Sequence, residues 1–125
     1  MLNTEDQTAL EIVKLAYAVD DPSDSRRCLN MRVGFTDHDG AYDALRAIDS
    51  YNDFDGSKVV AALKRANIDK YTRIEVGREG SPVVYIGPIF GDDDQRVRIE
   101  AALKCARADE IDFDGRTRRI RAWWD

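Results

Sequence analysis

The sequence predicts an α+β domain: an antiparallel sheet with helices on one face, an N-terminal helix added before it and an extra strand at the C-terminus. Two observations carry this. Val59-Val60-Ala61-Ala62-Leu63-Lys64 is echoed forty residues later by Ile99-Glu100-Ala101-Ala102-Leu103-Lys104. Each copy runs through a short Asp/Arg-rich linker into an alternating segment, Ile74-Glu75-Val76 or Ile111-Asp112-Phe113, and then a Gly-Arg turn. A helical stripe that gives way to strict alternation marks a helix followed by a half-buried strand. A helix-then-hairpin unit is therefore written twice.

The elements follow in order. Thr4-Glu5-Asp6-Gln7 has the form of a capping box, with Thr4 as N-cap and Gln7 three residues on. Ile12, Leu15, Ala16 and Val19 then fall at helical spacing, and Pro22 stops the helix near Asp20. Asp21–Ser25 reads as a loop, so residues 1–21 form an addition to a core spanning residues 28–113. Over residues 28–35, Leu29, Met31, Val33 and Phe35 alternate with Cys28, Asn30 and Arg32, which predicts a strand. Thr36–Gly40 reads as a turn, and Ala41, Ala44, Leu45 and Ile48 as a helical stripe. Asn52–Gly56 interrupts that stripe, and Ser57 is placed to cap the helix carrying Val59, Ala62, Leu63 and Ala66.

Tyr71–Gly77 and Val83–Gly87 flank a turn over Arg78–Pro82 and predict a hairpin. Asp92-Asp93-Asp94-Gln95 predicts an acidic helix start with Gln95 reaching back as a cap. Ile99, Ala102, Leu103 and Ala106 form its buried stripe. Glu110–Phe113, Asp114-Gly115 and Thr117–Trp124 predict a final hairpin, with residues 114–125 supplying the extra strand. Without the first helix and last strand the order is βαββαβ, the ferredoxin-like arrangement.

Bulk properties bound the function. At 125 residues the chain is one domain, and 43% hydrophobic with 34% charged residues is ordinary for a soluble globular protein. No apolar run is long enough to cross a membrane. The acidic start Met1–Asp6 lacks the pattern of a secretory signal, which predicts a cytoplasmic protein. Cys28 and Cys105 read as two reduced thiols, although spacing leaves a single bridge open. The net charge of −5 argues against non-specific attraction to nucleic acid or an anionic membrane. Asp outnumbers Glu 18 to 6 and Arg outnumbers Lys 14 to 5, a bias that fits a GC-rich or salt-adapted source as readily as a functional surface.

At Met31-Arg32-Val33-Gly34-Phe35 and Tyr85-Ile86-Gly87-Pro88-Ile89-Phe90 the chain resembles a SPOR domain. In that family each half starts with a strand that ends in a Gly-containing turn before an Ala- and Leu-rich helix. The resemblance covers roughly residues 29–113 and implies a ferredoxin-like duplication. It also implies binding of peptidoglycan glycan strands on the open sheet face, with Arg32 and Tyr85 at the polar strand positions.

Alternation names that open face directly. If Met31, Val33, Ile74, Val76, Val84, Ile86, Ile111 and Phe113 face the helices, the other side carries Asn30, Arg32, Arg73, Glu75, Val83, Tyr85, Glu110 and Asp112. The last strand adds Arg119, Arg121 and Trp123. Of Trp123 and Trp124, one is expected in the core and one outside. Arginine beside an aromatic ring stacks on sugars, bases or another protein, whereas cross-strand Arg–carboxylate pairing would make the same residues a solvated face. The binding residues are therefore expected to be Arg32, Arg73, Tyr85, Arg119, Arg121 and Trp123. RNA binding is a third use. It needs paired aromatics on the central strands, where only Tyr85 stands, although the Arg116–Arg121 run is locally basic.

Catalytic patterns are thin. His38 is the only histidine, and Asp37-His38-Asp39-Gly40 reads as a turn with no nucleophile to pair with it. Asp-x-Asp-Gly occurs three times, yet the position where a calcium loop needs an acid holds Arg46, Ala62 or Arg121. No cofactor or metal is expected. The expected function is a small, soluble, non-catalytic binding or interaction protein that uses the open sheet face, with glycan binding as the version that the SPOR resemblance implies. The alternative is an acidic regulator or inhibitor that binds another protein, for example from a viral, defence or regulatory locus. Enzyme activity ranks behind both binding readings and would rest on His38 with Asp37 and Asp39.

Overall fold

The computed structural model describes residues 2–18, 30–48, 50–51, 53–91 and 93–125. Its elements in chain order are α1 (Thr4–Tyr17), β1 (Asn30–Gly34), α2 (His38–Ile48), β2 (Ser50–Tyr51), β3 (Phe54–Asp55) and α3 (Gly56–Arg65). They continue as β4 (Arg73–Glu79), β5 (Ser81–Gly87), α4 (Asp94–Cys105), β6 (Glu110–Asp114) and β7 (Arg119–Trp123). The protein is α+β, with five antiparallel strands in the order β1-β4-β5-β7-β6. The helices lie in a row from α1 to α4 over one face of that sheet. The small β2–β3 ribbon is not legible from periodicity because each strand is two residues long.

The arrangement is compatible with the ferredoxin-like class, and its two halves reach it differently. β5, α4 and β6 make a split βαβ unit: β5 and β6 run parallel with β7 paired antiparallel between them. The first connection holds two helices, α2 and α3. The chain therefore re-enters the sheet reversed, and β4 pairs antiparallel with β1 directly. The repeated units, α3-β4-β5 and α4-β6-β7, meet at the β5–β7 pairing. The order β4-β5-β7-β6 reads as a palindrome about that contact, as an approximate twofold demands. Ala62 of α3 and Ala66, its C-cap, line a groove with Ala101 and Ala102 of α4. The second alanine of each echoed pair, Ala62 and Ala102, thus lies where the two helices meet, and Ala61 is exposed.

The core matches the expected alternation. Ile74, Val76, Val84, Ile86, Ile120 and Ala122 point into it from the sheet, and Ala44, Leu45, Val59, Leu63, Ile99 and Leu103 from the helices. Trp124 closes the end of this core, edge-on to Phe54 at a centroid distance of 5.1 Å, with its Nε1 donating to the Ala106 carbonyl at 2.9 Å.

Several local expectations are corrected. Asn3, not Thr4, caps α1: its Oδ1 accepts from the Asp6 amide at 2.8 Å. The buried stripe of α1 is Asp6, Ala9, Val13 and Ala16, whereas Ile12 and Leu15 are 42% and 61% exposed. The helix is turned because it docks through a carboxylate. Asp6 is buried and accepts from the Thr36 amide at 2.8 Å, the Thr36 hydroxyl at 3.0 Å and the Asp37 amide at 3.1 Å. These groups lie at the entry to α2, so its orphan amides find a partner across the structure and the helix starts at His38, inside the expected turn. α1 is also held at its far end. Tyr17 donates to the Gly77 carbonyl at 2.6 Å, and Arg78 Nη1 to the Ala16 carbonyl at 2.6 Å. Val19, the Asp21–Ser25 loop, Cys28, Leu29, Asn52 and Asp92 lie outside the described residues.

Asp55 rather than Ser57 caps α3, accepting from the Lys58 amide at 3.2 Å. The β4–β5 turn is Gly80 alone, because Arg78, Glu79, Ser81 and Pro82 all belong to the strands. Gly80 takes φ +74°, a conformation that favours glycine. Gln95 does not cap α4. Its Oε1 accepts from the Asp69 amide at 2.7 Å and ties the α3–β4 linker to that helix. Among the described residues no helix is long and apolar enough to cross a membrane.

Candidate functional site

The sheet face away from the helices carries every residue the sequence nominated. Arg32 projects from β1, Arg73 from β4, Tyr85 from β5, and Arg119, Arg121 and Trp123 from β7, each at the parity opposite to the buried residues. Register then sets neighbours. Glu75 lies opposite Tyr85, Tyr85 opposite Arg121, and Arg121 opposite Asp112. Val83 lies opposite Trp123 and is buried although it is on the open side. Trp124 is in the core and Trp123 is half-buried outside it, as strand alternation requires.

Side chains on this face are locked to one another. Glu75 gives one carboxylate oxygen to Arg32 Nε at 2.8 Å and the other to Arg119 Nη1 at 3.5 Å. The Arg32 guanidinium stacks 4.4 Å from the Tyr85 ring centroid. The Tyr85 hydroxyl donates to Glu79. Arg121 forks to Glu79 at 2.9 Å, Glu110 at 3.2 Å and Asp112 at 3.4 Å. Trp123 Nε1 donates to the Glu79 carbonyl at 3.0 Å. Gly87 leaves room for this packing: a Cβ there would lie 2.7 Å from Arg119 Cγ. Arg73 is exposed at the end of the face.

The electrostatics follow from these contacts. Burial alone would raise the Glu79 carboxyl and lower the Arg121 guanidinium. For Glu79 the Tyr85 hydroxyl and Arg121 outweigh burial and hold it below the usual carboxylate range. For Arg121 the bond to Glu79 outweighs burial and holds it above its ordinary value. Burial, and then the bond to Glu79, push the Tyr85 phenol up.

Glu79 is the residue the sequence reading missed. Placing Arg78–Pro82 in a turn removed it from the strand, whereas extending the alternation of Arg73 and Glu75 through Gly77 would have found it. The Arg116–Arg121 run does not form a basic surface. Arg118 turns away, donating to the Ile89 carbonyl at 2.8 Å and pairing with Asp93 at 3.5 Å, while Arg119 and Arg121 are held by carboxylates.

Two clefts flank Tyr85. One of about 300 Å³ is lined by Arg32, Tyr85, Asp112, Asp114, Thr117, Arg119 and Arg121. The other, of about 240 Å³, is lined by Asn30, Met31, Arg32, Glu79 and Tyr85. A larger hollow of about 730 Å³ lies between the α3–β4 linker and the start of α4. Its polar groups hold the fold: Arg98 Nε donates to the Ala66 carbonyl at 3.0 Å and pairs with Asp94, and Gln95 holds Asp69.

His38 is half-buried, and its Nε2 lies 2.7 Å from the Thr72 carbonyl, the geometry of an N–H donated to backbone. That contact fixes the ring between α2 and β4. Among the described residues no group of three or more His, Cys, Asp and Glu could hold a metal ion. Cys105 is a free, exposed thiol. Comparison of the chain with protein-family models, with curated proteins and with solved structures finds no match.

Proposed function

We propose that this chain is a small non-catalytic binding protein whose partner docks on the open face of the sheet. One observation carries the reading: the helical layer covers one face of the sheet, and the other presents two clefts whose walls are already held by ion pairs and a cation–π stack. Side chains fixed before binding lose little freedom on binding. Another protein is the partner that suits this surface best. Both signs of charge are interleaved across it, and an interleaved pattern selects a matching interface rather than a uniformly charged polymer. The same neutralisation disfavours RNA, because phosphates would compete with Glu75 and Glu79 for the guanidiniums. An acidic cytoplasmic regulator or inhibitor fits this reading.

A glycan strand is the second reading, in line with the SPOR resemblance. It is favoured by the 300 Å³ cleft, where guanidiniums and carboxylates beside Tyr85 could take sugar hydroxyls. The two separate by experiment. The protein is incubated with purified insoluble peptidoglycan and sedimented, and in parallel is immobilised to retain partner proteins. The expected result is no sedimentation, and retention of a partner that Arg121→Glu and Tyr85→Ala abolish. Sedimentation that depends on Tyr85 would move the assignment to the glycan. Retention unchanged in both variants would remove this face from consideration.

A further inference from the structure

The hollow of about 730 Å³ between the α3–β4 linker and the start of α4 lies apart from the open face and shares no residue with it. Most of its polar groups are engaged in holding the fold, but Gln95, Asp69 and Lys70 each keep something over. Gln95 is only 8% exposed. Its Oε1 accepts from the Asp69 amide, and no described residue accepts from its Nε2. Among the described residues no side-chain nitrogen or oxygen is both unpaired and sealed from solvent. The small open part of Gln95 therefore includes Nε2, and the opening that Gln95 lines is this hollow. A donor held there calls for an acceptor. The other two groups stand on the linker. Asp69 accepts from the Tyr71 amide through Oδ1 at 2.8 Å and pairs with no cation among the described residues. Lys70 lies 5.1 Å from the Tyr71 ring centroid and pairs with no carboxylate among them.

The chemistry of these groups selects the occupant. Gln95 Nε2 and Lys70 both donate, and Asp93 at the N-cap of α4 makes no side-chain bond to the first-turn amides. A carboxylate is favoured beside such a helix end. Negative charge alone is not, because Asp69 faces the same hollow and the acidic run Asp92–Asp94 opens the helix. Asp93 and Asp94 are balanced by Arg118 and Arg98, which leaves no cation to spare for a phosphate beyond Lys70. A ligand carrying both signs engages Lys70 and Asp69 together. Phe90, 59% exposed, and the half-buried Ile68 add apolar wall. We infer that the hollow binds a small zwitterion, a free α-amino acid with an apolar side chain. Its carboxylate meets Gln95 Nε2 and Lys70, its ammonium meets Asp69, and its side chain lies on Phe90. The volume falls within the range of small-molecule sites, about 300–1,000 Å³. Asp69, Lys70 and Phe90 are exposed, so binding is modest, with a dissociation constant on the order of 100 µM.

Nitrogen–proton correlation spectra of the full chain, titrated with L-leucine, test this. The Gln95 side-chain amide signal is expected to shift and saturate, since Nε2 is the donor that gains a partner. Isocaproate and isoamylamine keep the leucine side chain and lack the ammonium and the carboxylate respectively. Each is expected to bind about tenfold more weakly than leucine. Gln95→Glu keeps the acceptor for the Asp69 amide and removes the Nε2 donor, and about a tenfold loss of leucine affinity is expected. Lys70→Met removes an exposed cation and is expected to weaken binding about fivefold. Circular dichroism checks that both fold, and if Gln95→Glu does not, Lys70→Met and the wild-type amide shift decide. Tyr85→Ala is expected to leave leucine binding unchanged, which separates this site from the open face. No shift up to about 10 mM leucine, roughly a hundredfold above the inferred constant, would overturn the inference. So would isocaproate or isoamylamine binding as tightly as leucine, or binding indifferent to the substitutions at Gln95 and Lys70.

Discussion

The two faces of the sheet are made by the same strands and obey opposite rules. Toward the helices, β4, β5 and β7 present Ile74, Val76, Val84, Ile86, Ile120 and Ala122, none more than 1% exposed. Away from them the same strands present the exposed Arg73, and Glu75, Glu79, Tyr85, Arg119, Arg121 and Trp123, which are joined by hydrogen bonds and ion pairs to one another or to neighbours on the face. Burial of apolar area dominates stability on the first face. On the second, ion pairs near solvent add little net stability but fix where charges sit. The covered face explains why the chain folds, and the open face is where recognition can be altered without unfolding it.

Adjacent tryptophans give the sharpest way to break this comparison. Trp124→Ala removes a fully buried ring and is expected to cost about 3–5 kcal/mol in urea unfolding. Trp123→Ala removes a half-buried ring and one hydrogen bond to Glu79, and is expected to cost about 1 kcal/mol. Equal losses would mean that the open face is part of the core and the contrast between faces is false.

Asp6→Ala comes next. It strips the partner from the Thr36 and Asp37 amides where α2 begins, and about 2 kcal/mol is expected from leaving them unsatisfied. Asp6→Asn keeps one acceptor oxygen and should recover part of the loss. A negligible effect of Asp6→Ala in thermal unfolding would show that α1 is the detachable addition the sequence suggested, rather than a fourth member of the helical layer.

That helix shows where sequence reading stopped. The duplicated unit, the parity of the strands and the membership of the open face were legible because they depend on period alone. The face of α1 was not, because hydrophobicity favours burying Ile12 and Leu15, and only the position of Thr36 makes burying Asp6 favourable. The strand order was not legible either, since it depends on whether one helix or two fills a connection and how they pack. Arg32 through Trp123 were found as a set, but their pairing was not. Glu79 was hidden by a turn placed over a residue that the structure keeps in the strand.

The smallest expected effects are in pH. Glu79 titrates below the ordinary carboxylate range in the folded protein, because Tyr85 and Arg121 outweigh burial. The unfolded chain therefore takes up this proton first as pH falls. The stabilisation from Glu79 is complete above the unfolded carboxyl range and is lost as pH drops through the lower folded value. Glu79→Gln is expected to reduce the acid-side fall in urea midpoint and leave a nearly flat difference near neutrality. Tyr85 has the opposite sign, since burial and then Glu79 raise its phenol. Its contribution is complete below the ordinary phenol range and disappears as pH rises through the raised folded value. Tyr85→Phe is thus expected to change the alkaline limb of the urea-midpoint profile. Tyr42, raised by burial and then by Asp39 on the helix side, remains as an internal reference. If Glu79→Gln leaves the acid limb unchanged, the Glu79–Arg121 contact does not persist in solution, and the open face is a solvated surface without fixed charge positions.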